Sequence, residues 1–310
     1  MKIPELERTG ITCEESFRII LTTLKYEVMF LKGNYNSSDI NSVKDYSLVI
    51  AERIVKTADT LHSVIERDRD YVIANMIIRS MADSISSFIL IYREEDINVK
   101  LLRHYLYIID GLQNRINQLS NNPTYNESIS KEDYEKLCLQ VKAAKQNYQE
   151  ACNFSVCQIK SLPIYANNKM FIDKLIEGHN WRFQSLRSSP KSRFSWEKMY
   201  DLMGFKCPSS FFSSLSDYVH GLSTSNLNLE MEDELFDPVY SFGISLLGKL
   251  MSSLKDIFPD EFSSILSKTF SSVLCDQNIP KHYIQKFLQG LNFEYKICLL
   301  YTSDAADEED

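Results

Sequence analysis

The stretch that decides the fold is Tyr71–Tyr92, which reads YVIANMIIRSMADSISSFILIY. It is apolar or small on nearly every helical face, as expected of a central helix that its neighbours cover. Its only charged residues, Arg79 and Asp83, are four positions apart and therefore share one helix face. Charges inside such a helix are costly unless they are paired and hydrogen-bonded. The stretch predicts a core helix with a buried ion pair, and the two central charges argue against a membrane span.

The rest of the chain is poor in helix-breaking residues. Of 310 residues, 9 are glycine and 8 are proline, which together is less than half of their average usage of about 12%. Alternation of apolar and polar residues, which is typical of strands, is nearly absent. We therefore predict an all-α, multi-helix up-down bundle without significant sheet. The helices are predicted near residues 12–32, 39–67, 69–94, 97–120, 131–161, 167–177, 195–204, 209–222, 238–257, 260–275 and 280–296.

Several of these helices carry start signals. Ser130-x-x-Asp133 resembles a capping box with Asp in place of Glu. Asp237-Pro238 is typical of an N-cap followed by proline at the first helical position, and Pro259 and Pro280 fit the same proline role. We predict a single elongated helical domain over residues 1–297, with one candidate division near residues 123–165.

The last residues, 298–310, have the sequence of an artefact. Cys298–Asp307 equals the translation of a transposase-type sequencing adapter read in one frame, and Glu308 is compatible with the next codon. The alternative is a genuine acidic tail. Without the five acids of this segment, 37 acidic residues face 34 basic ones, so the net charge is −3 rather than −8. We expect a truncated gene whose natural C-terminus differs beyond about Ile297.

Cysteine usage and the N-terminus indicate the compartment. No C-x-x-C pair is present, so neither a zinc site nor a disulfide framework is expected. The first residues, Met1–Arg8, lack the apolar region of a signal peptide. No glycine-rich nucleotide loop, P-loop or His-Glu-x-x-His motif occurs. We predict a cytoplasmic protein with no cofactor, no bound metal and no membrane partner.

A second weakly charged stretch runs from Ser209 to Leu229. Apart from Tyr218, its titratable groups are Asp217 and His220. Ser216 lies one turn before His220, so both would share one helix face. Histidine can act as an acid, a base or a phosphate partner near neutral pH. Of the other histidines, His62, His104 and His282 have neighbours typical of a protein surface.

These motifs resemble a known family. Arg79-x-x-x-Asp83 on a hydrophobic helix, followed by Trp196 and by Leu215-Ser-Asp-Tyr-Val-His-Gly221, is similar to the bacterial helical domain-of-unknown-function family numbered 5677. That group is similar to the HEPN superfamily of prokaryotic helical domains. The resemblance covers residues 40–250. It implies an all-α bundle in which an arginine, an acid and a histidine meet in the core, in a stress or defence setting.

The resemblance to HEPN ribonucleases is incomplete. Those enzymes carry an Arg-x4–6-His motif on one helix, whereas positions 213–216 before His220 read Ser-Ser-Leu-Ser. Two interpretations of Arg79, Asp83 and His220 stay open. One is a satisfied polar network that fixes helix register. The other is a metal-independent ribonuclease that uses His220 and Arg79, with Ser216 and Asp217 as further candidates.

Between Trp181 and Lys198, five basic residues are interleaved with four aromatic ones and face one acid, Glu197. Basic charge with aromatic side chains is typical of surfaces that bind phosphates and stack bases. The alternative is a solvated loop whose aromatic residues anchor its ends. We expect a binding or interaction module without an assigned reaction, whose partner is a protein or RNA. The candidate nucleic-acid contacts are Arg182, Arg187, Lys191, Arg193 and Lys198.

Overall fold

The protein is all-α, as predicted. The structure is a computed structural model. It describes residues 11–35, 37, 39–120, 125, 128–204, 215–219 and 235–290, with side chains described up to residue 285. Within these residues the only β-type contact is an isolated antiparallel bridge between Phe183 and Arg193. The helices are α1 Cys13–Asn34, α2 Val43–Ser63, α3 Tyr71–Tyr92, α4 Ile97–Gln118, α5 Lys131–Ser161, α6 Pro163–Glu177, α7 Trp196–Asp201, α8 Phe236–Ile257, α9 Pro259–Cys275 and α10 Lys281–Gly290.

The predicted helices match these elements with small shifts at their ends. The second helix begins at Val43 and is followed by a π-helical turn, Val64–Asp68, which ends at Arg69 in the left-handed conformation. Of the predicted helix 209–222, residues 215–219 are described and are helical. The tail 298–310 and His220 lie outside the described residues.

The start signals are confirmed in part. The Ser130 side chain accepts a hydrogen bond from the Asp133 backbone N–H, while its hydroxyl donates to the Asp133 carboxylate at 2.7 Å, so the box is only half formed. Pro259 occupies the first turn of α9, as predicted. The N-cap role of Asp237 is wrong: α8 already begins at Phe236. Phe236 is buried beneath the Arg69 guanidinium, and this burial fixes the earlier helix start.

The described chain divides into two compact units. The first comprises the chain up to Ile89 and from Trp196 onward, and the second is Leu90–Ser195. These boundaries lie away from the 123–165 stretch that the sequence suggested. The first boundary falls inside α3, three residues before its end.

In the first unit, α1 is the central element. It packs against α2, α8, α9 and α10. Phe17, Leu24 and Leu31, on its apolar face, are fully buried. The close approach of α1 and α8 depends on Gly243, because a Cβ there would lie 2.7 Å from Cε2 of Phe17.

In the second unit, α4 pairs with α5, and α6 packs against both. Its core includes Leu102, Leu106, Ile159, Ile172 and Phe183, all fully buried. The long helix α5 buries only three residues near its end, so most of its length faces solvent.

Helix α3 is long and apolar enough to cross a membrane by length and composition alone. Half of its most apolar window is buried inside the protein. Ala74, Met81, Ala82 and Ile85 are fully covered by neighbouring residues, as in the core helix that the sequence predicted.

Candidate functional site

The two charged residues of α3 form an ion pair in the first unit. The distance from Arg79 Nε to Asp83 Oδ2 is 3.4 Å, and the two side chains are 13% and 32% exposed. The arginine is therefore largely covered, whereas the carboxylate keeps partial access to water.

Tyr200 of α7 completes this polar cluster. Its hydroxyl donates a hydrogen bond to Oδ1 of Asp83, and its ring lies 5.0 Å from the Arg79 guanidinium. Burial, with the adjacent Asp83 carboxylate, raises the Tyr200 pKa above its ordinary value. The three side chains thus satisfy one another and join α3 to α7. We call Arg79, Asp83 and Tyr200 the polar cluster.

Sequence reasoning did not find Tyr200. The available signal was the spacing of Trp196 and Tyr200, which lie four positions apart and stack with ring centroids 6.3 Å apart. That spacing indicates one helix face, but it does not say which distant helix the face contacts.

Ser216 and Asp217 lie in the helical segment 215–219 and are half-buried. The ring of Tyr218 in this segment meets Tyr71 edge-on, with centroids 5.8 Å apart. Tyr71 is the first residue of α3, two turns before Arg79. The segment therefore packs at the start of α3.

The second unit carries a groove of about 830 Å³. It is lined by Asp110 from α4, by Lys174 and Glu177 near the end of α6, and by the loop that follows α6. Three of the five predicted nucleic-acid contacts, Arg182, Lys191 and Arg193, line it. Arg187 is exposed on the same loop outside the groove lining, and Lys198 belongs to α7 of the first unit. We call this cavity the basic groove.

Backbone pairing shapes the loop that carries these cations. The Phe194 N–H donates to the Arg182 carbonyl at 2.8 Å, next to the Phe183–Arg193 bridge. The Asn180 side-chain amide donates to the carbonyls of Pro190 (2.8 Å) and Ser192 (3.2 Å). These bonds hold the two arms of the loop side by side and bring Arg182 close to Arg193.

A buried arginine that the sequence did not single out anchors the loop. Arg103 of α4 is 5% exposed. It donates to Glu94 at 2.6 Å and to the carbonyl of Phe183 at 3.3 Å, and its guanidinium lies 4.8 Å from the Phe183 ring. Burial lowers the pKa of Arg103, and the Glu94 carboxylate opposes that shift. The only sequence signal was a charge among the apolar residues of α4.

The neighbouring His104 corrects another expectation. Its side chain is fully buried, not at the surface, and its Nδ1 lies 3.2 Å from the Tyr92 hydroxyl. Helix α4 buries seven of the eight positions from Leu102 to Ile109, all except Tyr107, so the prediction of a surface position for His104 is wrong.

The aromatic residues at the groove support its wall. Trp181 is 7% exposed, meets Tyr107 edge-on at 5.2 Å, and donates its indole N–H to Oδ2 of Asp110 at 3.2 Å. Phe183 is fully buried. These rings present no open face to a stacked base, and they anchor the loop, which is the alternative that the sequence left open.

The charge of the groove is predominantly positive. Four cations, Lys174, Arg182, Lys191 and Arg193, face the two carboxylates of Asp110 and Glu177. Lys174, Lys191 and Arg193 form no ion pair with any residue that the structure describes. The last carbonyls of α6 accept the N–H groups of Gly178, His179 and Asn180, so the helix end offers few bare acceptors to an anion.

Among the described residues, no three His, Cys, Asp or Glu side chains form a group that could hold a metal ion. In comparisons with protein-family models, curated proteins and solved structures, nothing matches the chain. The resemblance to family 5677 therefore rests on the sequence motifs alone.

Proposed function

We propose that this chain is a cytoplasmic binding module without a reaction of its own, and that its second unit binds single-stranded RNA in the basic groove. The observation that carries the proposal is the convergence of Arg182, Lys191 and Arg193 with Lys174 on one open cavity. Cations that neutralise phosphates release condensed counterions, which is the main driving force for binding a nucleic-acid strand.

The chemistry of the groove favours RNA over an acidic peptide. Two of its four cations are arginines, whose planar guanidinium matches a phosphate with two parallel hydrogen bonds. The carboxylate of Asp110 also lines the cavity. An acidic side chain brings only acceptors to this carboxylate, whereas a nucleotide brings hydrogen-bond donors on its base.

In this proposal the polar cluster has a structural role. Arg79, Asp83 and Tyr200 are engaged with one another across two helices, and such networks fix helix register. A bacterial stress or defence setting, which the resemblance to family 5677 implies, is part of the proposal.

The test measures the affinity of a labelled single-stranded RNA by fluorescence anisotropy at several salt concentrations. Lys191→Ala and Arg193→Ala should each weaken binding by about tenfold or more, the effect of losing one charge-assisted hydrogen bond. Each should also reduce the slope of log affinity against log salt by about 0.7, the value per contacted phosphate in a single strand.

Arg187→Ala is the matched control, because Arg187 is exposed on the same loop but does not line the groove. Equal losses in all three variants would contradict the groove as the binding site. Stronger competition by a poly-glutamate peptide than by RNA would identify an acidic protein as the partner instead. Cleavage of the RNA in EDTA that is lost in His220→Ala would favour the ribonuclease interpretation.

A further inference from the structure

We propose that the basic groove also discriminates between bases, with Asp110 as the residue that selects those carrying an amino group. This inference rests on the proposed function and specifies its ligand. It starts from an unexpected feature of the groove, which is a carboxylate held in place among four cations.

The carboxylate and three of the four cations differ in exposure. Asp110 and Arg182 are half-buried, whereas Lys174, Lys191 and Arg193 are exposed. A phosphate avoids the carboxylate and is drawn to the outer cations. The part of the groove beside Asp110 is then left for the base that the same nucleotide carries.

One oxygen of Asp110 is already committed. Oδ2 accepts the indole N–H of Trp181 at 3.2 Å. The other oxygen, Oδ1, receives no hydrogen bond from any residue that the structure describes. Because Asp110 lines the groove and is half-buried, Oδ1 is an acceptor to which a ligand can donate in place of water.

The hydrogen bond from Trp181 fixes the orientation of the Asp110 carboxylate. The indole of Trp181 is buried, lies edge-on to Tyr107, and has the Arg182 guanidinium 5.8 Å from its ring centre. An indole can only donate, so it always requires an acceptor at Oδ2. The carboxylate is consequently preorganised, which lowers the cost of ordering it when a ligand binds.

Base chemistry then decides which nucleotide fits. Cytosine presents an N4 amino group that donates to a carboxylate, and adenine and guanine also carry amino groups. Uracil has a carbonyl oxygen at the position of the cytosine amino group. In that pose two acceptors would face each other and lose hydrogen bonds to water without replacement. The one other donor of the uracil base, N3–H, lies between two carbonyl oxygens that the carboxylate repels. The groove therefore prefers cytosine over uracil.

Oligocytidine and oligouridine of equal length form a matched pair of ligands, because they have the same backbone charge. We expect the protein to bind oligocytidine about tenfold more tightly, the factor that corresponds to one hydrogen bond to a charged acceptor. Anisotropy titrations with both ligands at one salt concentration measure this ratio.

Asp110→Asn is the decisive variant. The Trp181 N–H requires the amide oxygen of Asn at the position of Oδ2, so the amide nitrogen replaces Oδ1. The free acceptor becomes a donor, which matches the uracil oxygen. We expect the preference for cytosine to disappear or reverse, while the salt dependence of binding stays that of the wild type because the cations are unchanged.

Folding of the variant is checked through the Trp181 fluorescence in a Trp196→Phe background, since these are the two tryptophans of the chain. Equal affinity of the wild type for both ligands would overturn the base selection. So would an unchanged cytosine preference in folded Asp110→Asn. Either result leaves the proposed function intact if Lys191→Ala still weakens binding, whereas absence of binding to both ligands refutes the proposed function itself.

Discussion

Asp83 shows how a charge in a core helix is stabilised by more than its nearest neighbour. Arg79 approaches one carboxylate oxygen at 3.4 Å, and Tyr200 donates to the other. Because Asp83 is 32% exposed, water contributes as well. This is a milder environment than the buried ion pair that the sequence predicted, and it lowers the expected cost of removing one partner.

Arg79→Ala should destabilise the protein by about 1–3 kcal/mol, less than the 3–5 kcal/mol typical of a sealed pair, because Asp83 keeps Tyr200 and partial solvation. In an Asp83→Asn background the same substitution should cost less. Urea unfolding of the four proteins in this double-mutant cycle measures the coupling, and strictly additive losses would show that the two side chains are not partners.

The pair Glu132–Lys136 serves as the control for this cycle. It has the same i, i+4 spacing in α5, with side chains 79% and 61% exposed. Exposed pairs of this kind contribute about 0.3–0.5 kcal/mol. Lys136→Ala should therefore have little effect on the urea midpoint.

The close contact of α1 with α8 depends on a single glycine, Gly243. Phe17 is fully buried against Gly243, at a distance that leaves no space for a Cβ. Ridges of one helix usually pack into grooves of its neighbour. Here the space for the Phe17 ring exists because Gly243 has no side chain. Helix α8 contains this glycine despite its lower helix propensity.

Gly243→Ala should destabilise the protein by about 1–3 kcal/mol, since Phe17 must move within a packed core. Gly248→Ala in the same helix is the matched control, because its added Cβ would meet nothing within 4 Å. That change should stabilise the protein by about 0.5–1 kcal/mol through better helix propensity. Thermal or urea unfolding distinguishes the two, and shifts in the same direction would contradict the packing explanation.

The helices themselves were predictable from the sequence for a local reason. Scarce glycine and proline, apolar periodicity and caps such as Ser130 act within a few residues of each other. The pairing of Arg79 with Asp83 is local in the same sense. The start of α8 was missed because the burial of Phe236, a tertiary effect, outweighs the capping preference of Asp237.

The rest of the site depends on residues that are distant in sequence. Tyr200 is 117 positions from Asp83, and the basic groove combines α4, α6 and the loop after α6. The composition of residues 181–198 indicated cations for an anionic ligand, but it did not show that Lys174 and Asp110 join them. It also did not reveal Arg103, since an arginine in a helix is normally exposed.

At the scale of the whole molecule, a buried glutamate makes stability depend on pH in an unusual direction. Glu27 of α1 is 2% exposed, and its Oε2 has no hydrogen-bond partner among the described residues. Burial raises its pKa from 4.5 to about 8. The carboxyl group is therefore protonated in the folded protein at neutral pH, where the unfolded chain has released the proton.

This difference makes the folded state less stable as the pH rises from 4.5 to 8, by up to about 1.4 kcal/mol per pH unit. Glu27→Gln removes the titrating group while keeping its shape. The unfolding free energy of the variant relative to wild type should therefore increase with pH across this window and level off above it. A difference that stays constant in urea titrations would show that Glu27 is ionised in the folded protein.

The division of the first unit into two stretches of chain has a consequence for synthesis on the ribosome. The second unit, Leu90–Ser195, is encoded between them, so it leaves the exit tunnel complete while the first unit still lacks α7 to α10. During that interval α1 lacks its contacts with α8, α9 and α10. The Arg79–Asp83 pair likewise lacks the hydrogen bond from the Tyr200 hydroxyl. The nascent chain thus completes its second unit first and leaves open the apolar face of α1 that α8, α9 and α10 later cover, a kind of surface to which chaperones bind.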